Sequence, residues 1–134
     1  MVKENQLEEK VLFVQRQTPE LLKSYTYYAE LGLTMDKDTN LNYRYSLPNK
    51  IFDYIQAGIP VLASDLPEVK KIVLDNNVGM ICESHDTMKI AHCINTMLQE
   101  DYKSKLKEDI ENARRSLNWE SQEYIIKQVY QKYL

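Results

Sequence analysis

Glycine occurs only three times in the 134 residues, as Gly32, Gly58 and Gly79. They are too far apart to write a G-x-G-x-x-G dinucleotide fingerprint or a P-loop, and there is no G-x-S-x-G nucleophile elbow. Cysteine and histidine are equally scarce, with two of each. His85 and His92 do not make an i, i+4 pair, so a metal site is not expected. Cys82 closes an apolar run and Cys93 falls in a helical pattern. Both read as small core residues of a reducing compartment rather than as a disulfide or a metal pair. No run of 18 apolar residues exists that could span a bilayer. The opening MVKENQLEEK is polar and acidic, unlike a secretory signal or a transit peptide. Excess positive charge is also missing. Seventeen Lys and Arg face twenty Asp and Glu, a net charge of -3, and the two signs are interleaved, so no nucleic-acid partner is expected.

What remains is an ordinary globular composition, 43% hydrophobic and 28% charged, of a length that suits one domain with one core. The expected divisions are a polar leader over 1–10, a β/α core over 11–82 and a helical end over 84–134. Four short apolar runs read as buried strands: Val11 to Val14, Leu31 to Thr34, Ile59 to Ser64 and Val78 to Cys82. Helices alternate with them. Thr18 can cap a helix that has Pro19 in its first position. A second helix is set between Pro48 at its start and Gly58 at its end, with Ile51, Phe52 and Ile55 as its apolar face. Asp65 and Glu68 have the spacing of a capping box for a third helix running through Leu74. Residues 35–46, MDKDTNLNYRYS, are polar and lack a period, and read as a loop. After Cys82 the chain is helical. Ile90, Ala91, Ile94, Met97 and Leu98 form one face, and Leu106, Ile110, Ala113 and Leu117 another. Asn118 can cap the last helix. Apolar strands alternating with helices predict an α/β domain, a parallel sheet covered on both faces by helices joined through right-handed crossovers.

In such sheets ligands bind at the carboxyl ends of the strands. The helix that follows Pro48 starts there. Its first turn leaves N–H groups free and carries a partial positive charge, which suits an anion. Ser46, Asn49, Lys50 and Arg44 cluster around that turn, and a phosphate or diphosphate is the natural occupant. From spacing alone, Lys50 and Asp53 can equally pair with each other at i, i+3 on a solvated face.

The stretch LPNKIFDYIQAGIPVLASDLPEVKKIVLDNNVGMIC, with its Gln56-Ala57-Gly58-Ile59-Pro60-Val61 block and Gly79-Met80-Ile81 strand, resembles the carboxyl-terminal domain of GT-B-fold glycosyltransferases of the group 1 type. The ending, with Trp119, Glu120 and Tyr130, is similar to that family's closing helix. The resemblance covers roughly residues 11 to 134. It implies a Rossmann-like half that holds a nucleotide sugar, a UDP- or GDP-sugar, usually with no catalytic metal and no other cofactor. The family signature is two Glu separated by seven residues. The second matches Asp53, whose implied partner is the ribose, and the first falls at Tyr45, which is not acidic. Gln15, Arg16 and Gln17 lie where the family places the base.

The resemblance also implies that strands ahead of Val11 and an acceptor-binding half are supplied elsewhere. This chain is then one part of a two-domain enzyme and inactive alone. The implied acceptor is a glycan or a lipid-linked sugar, and the implied location is cytoplasmic, at the membrane face. An unpaired apolar strand edge invites a homodimer at high concentration. The alternative reading is a non-catalytic α/β binding or regulatory module with an anion-binding helix.

Overall fold

The computed structural model describes residues 1–133 as a three-stranded parallel sheet in the order β1-β2-β3, flanked by seven helices. After a 3-10 turn at Lys3–Asn5 come α1 (Pro19–Tyr27), β1 (Gly32–Thr34), α2 (Leu41–Tyr45), α3 (Asn49–Ala57), β2 (Val61–Ser64), α4 (Pro67–Asp75) and β3 (Gly79–Cys82). Then follow α5 (Thr87–Met97), α6 (Glu100–Ser116) and α7 (Trp119–Gln131). The α/β class and the helical end agree with the sequence. Among the described residues no helix is long and apolar enough to cross a membrane.

β2 is the central strand and all four of its residues are buried. It pairs with β1 in the register Leu33 to Leu62 and with β3 in the register Ala63 to Ile81. Alternation along β2 divides the core in two. Val61 and Ala63 pack with Ile51 and Ile55 of α3, Val69 and Val73 of α4, and Leu106, Ile110 and Ala113 of α6. Leu62 faces the other way, onto Cys82, Met97 and the half-buried Ile90, Cys93 and Ile94 of α5. Ile51 and Ile55 are fully buried, each contributing about 1.5–3 kcal/mol.

Local signals explain the helix ends. Thr18 Oγ1 accepts the Leu21 N–H at 3.4 Å, and Asn118 Oδ1 accepts the Ser121 N–H at 2.8 Å. Gly58 adopts φ +79°, and α3 closes on it with the Gly58 N–H donating to the Ile55 carbonyl and the Ile59 N–H to the Tyr54 carbonyl. That left-handed closure explains why glycine ends this helix.

Three expectations are corrected. Val11 to Val14 form no strand. Leu12 and Phe13 are 81% and 79% exposed, and no neighbouring strand pairs with the run. A strand needs a ladder partner for its N–H and C=O groups. One outer edge of the sheet, that of β1, is partly taken already. Gly32 donates to the Pro60 carbonyl at 2.9 Å, so the next residue turns its polar groups away from β2. There the Tyr54 hydroxyl donates to the Leu33 carbonyl at 3.2 Å. The 35–46 loop contains the helical turn α2, capped by Asn40 Oδ1, which accepts the Tyr43 N–H at 3.0 Å. The Asp65–Glu68 capping box does not form either. Leu66 occupies the cap position of α4, and Asp65 instead pairs with Lys70 at 3.0 Å.

Gly79 sits where β3 leaves no room for a side chain, because a Cβ there would lie 1.8 Å from the Val61 carbonyl oxygen. Gly79→Ala must push β3 off β2 and is expected to cost about 3 kcal/mol, at the upper end of overpacking effects. Gly58→Ala makes only ordinary contact with the Arg114 side chain, at 3.7 Å, and meets the left-handed backbone penalty, about 1–2 kcal/mol. Urea denaturation of the two variants checks the ranking, and equal losses would contradict the close packing of β2 on β3.

Candidate functional site

The carboxyl ends of β1 and β2 open beside the first turn of α3. Pro48 occupies the cap position of that helix and offers no side-chain acceptor, so no side chain competes for the leading N–H groups. Lys50, in this first turn, turns toward β1 and places its Nζ 3.1 Å from Asp36 Oδ2. Lys50 is 40% and Asp36 30% exposed, so the pair is reachable from solvent. The same Asp36 oxygen accepts the Thr34 hydroxyl at 3.3 Å. The Ser64 hydroxyl, at the end of β2, donates to the Asp36 carbonyl at 2.6 Å. Thr34 and Ser64 are 1% and 2% exposed. Two buried hydroxyls, one from each strand end, therefore fix the backbone and side chain of Asp36, and Asp36 in turn holds Lys50. The alternative in which Lys50 pairs with Asp53 is not what forms.

The other candidates divide between this cluster and its surroundings. Asn49 is the first residue of α3 and is exposed. Ser46 ends α2, with its hydroxyl donating to the Tyr43 carbonyl at 3.1 Å. Tyr45 is 58% exposed. Arg44 grips Asp38 through Nε at 2.9 Å and Nη2 at 2.7 Å. The Asp38 carboxylate pushes the Arg44 guanidinium above its ordinary pKa by hydrogen bonding and charge, so Arg44 stays cationic. Arg16 is exposed on the irregular segment ahead of α1, where the Gln17 amide donates to the Gln15 carbonyl at 2.8 Å.

Asp53 projects from the side of α3 opposite Ile51 and Ile55 and makes no ion pair among the described residues. It stands between two grooves. One, of about 440 Å³, lies between α1 and α3 and is lined by Pro19, Leu22, Lys23, Thr26, Asp53, Gln56 and Ala57. The other, of about 590 Å³, runs from Phe52 and Asp53 to Leu117 and Trp119 at the α6–α7 junction. Gln56 braces that junction, its amide donating to the Arg114 and Leu117 carbonyls at 3.2 and 3.1 Å.

Sequence reasoning missed Asp36 and Ser64. Asp36 sits two residues past the apolar run that ends at Thr34, which is a usable signal for a strand-end carboxylate. Its partnership with Lys50, fourteen residues on, becomes visible only when the crossover through α2 and α3 is folded.

Residues 2–133 match the family model described as glucosyltransferase 3-like, C-terminal domain. The chain belongs to that family, a glycosyltransferase carboxyl-terminal domain. No curated protein matches it.

Ser64→Ala leaves the Asp36 carbonyl without the hydroxyl that donates to it at 2.6 Å. The expected loss is about 1–3 kcal/mol of stability. Thermal or urea unfolding beside wild type checks it, and an unchanged midpoint would contradict the role given to this hydroxyl.

Proposed function

We propose that this domain is the nucleotide-sugar-binding half of a GT-B-fold glycosyltransferase of the group 1 type, receiving a UDP- or GDP-sugar. On this reading the sugar passes to a glycan or lipid-linked acceptor held by the partner half of the enzyme. The observation that carries the reading is the placement of Asp53. An exposed carboxylate with no ion pair among the described residues stands in a groove of about 440 Å³, on the same helix whose first turn bears Lys50. Family membership supports it.

The division of labour follows from the chemistry. Cleavage of the sugar–phosphate bond leaves negative charge on the diphosphate. Free N–H groups at the start of α3 and the Lys50 ammonium supply positive charge where that charge develops. Asp53 accepts two ribose hydroxyls, and the base extends toward α1 and the Gln15–Gln17 segment ahead of it. Asn49 and Ser46 offer neutral hydrogen bonds to the phosphates, with Arg44 at the rim and Tyr45 toward the donor sugar. No step of this assignment needs a metal.

Asp53→Ala is expected to weaken UDP and uridine binding by about 10- to 100-fold, because a hydrogen bond to a charged group contributes about 1.5–3 kcal/mol. Folding stability should hold, since the position is exposed. Lys50→Ala should weaken UDP and GDP while leaving uridine unchanged. Calorimetric titration of each variant with UDP, GDP and uridine checks both. If Asp53→Ala binds every nucleotide as wild type does, the groove is not the nucleoside site and the proposed function is wrong.

A further inference from the structure

Lys50 has an anion beside it before any ligand arrives. Its ammonium lies 3.1 Å from Asp36 Oδ2, and Asp36 is not free to swing away. Its Oδ2 also accepts the Thr34 hydroxyl and its carbonyl accepts the Ser64 hydroxyl, both from buried residues. A phosphate that approaches Lys50 must therefore share or displace this lysine from a fixed carboxylate, and must accept the repulsion of that carboxylate at close range.

We propose that Asp36 is a specificity-determining residue that screens the Lys50 site against bare phosphates. The inference rests on the reading above that a diphosphate meets Lys50. The Lys50–Asp36 ion pair carries no net charge. Inorganic phosphate and pyrophosphate, which have nothing else to hold, are held weakly there. A nucleoside diphosphate brings its own anchor in the groove beside Asp53, and only an anchored diphosphate is delivered to Lys50 at an effective concentration that competes with Asp36. The same carboxylate hastens loss of the nucleoside diphosphate once the sugar has left, because the product is always opposed by a neighbouring negative charge. Arg44 does not relieve this opposition, since it is engaged by Asp38 at 2.7 Å.

Asp36→Asn keeps an oxygen for the Thr34 hydroxyl and removes the charge. In calorimetric titrations with pyrophosphate the variant is expected to bind at least about tenfold more tightly than wild type, a change of about 1.4 kcal/mol. Uridine binding should be unchanged. The gain should shrink at high salt, and it should vanish in the double variant Asp36→Asn, Lys50→Gln. If Asp36→Asn binds pyrophosphate no better than wild type, or more weakly, Asp36 merely orients Lys50 and the proposal is overturned. A gain that survives in the double variant overturns it as well. Should Asp36→Asn melt lower than wild type, Asp36→Ser provides the same charge removal with a smaller side chain, and the same comparison applies. The pyrophosphate arm is separate from the uridine arm. Loss of the Asp53 effect on uridine would refute the proposed function without touching the Asp36 result.

Discussion

Everything in this domain is arranged around the burial of β2. Its four residues lie between two parallel neighbours and two helical layers, with Val61 and Ala63 facing one core and Leu62 the other. Such a strand has no tolerance for a polar side chain along its length. Its only polar residue is Ser64, at the carboxyl end, and there the hydroxyl is spent on the backbone of the β1 exit. The close contact of Gly79 with the Val61 carbonyl fixes β3 on one side. On the other, Tyr54 covers Gly32 and caps the Leu33 carbonyl, locking α3 against β1. The start of α3 is therefore held relative to both strand ends, and the position of Lys50 follows.

On the proposed reading, this is how a domain with three glycines builds a phosphate-binding crevice. The fold does not wrap a glycine-rich loop around a phosphate. It directs the first turn of one helix at the crevice and brings a single lysine and a single carboxylate to it from different parts of the chain. A helix cap made by Pro48 leaves the leading N–H groups without a side-chain competitor. The arrangement is economical in sequence, which is why little of it stands out as a motif.

Much of the architecture was legible from periodicity and punctuation. The three strands that form are the apolar runs ending at Thr34, Ser64 and Cys82, and the helix bounds at Pro19, Gly58 and Asn118 carry side-chain or backbone signals that the structure uses. The run at Val11 to Val14 has the same composition as a strand and fails for a reason outside itself. Pairing is a property of two segments, and among the described residues no strand pairs with it. The Asp65–Glu68 spacing also looked sufficient, yet Lys70 lies on the same turn and takes the aspartate. In the site, the helix and its residues were readable because they are contiguous. Asp36 was not, because its role depends on a contact made across a crossover.

The central claim is that a nucleoside diphosphate lies along α3 with its phosphates at the first turn and its ribose at Asp53. Backbone amide chemical shifts of the 134-residue chain, titrated with UDP, test it directly. The account predicts saturable changes at Asn49 to Asp53 and in the first turn of α1 at Glu20 to Leu22, with α5, on the opposite face of the sheet, unaffected. Shifts confined to α5, or none at saturating UDP, would contradict it.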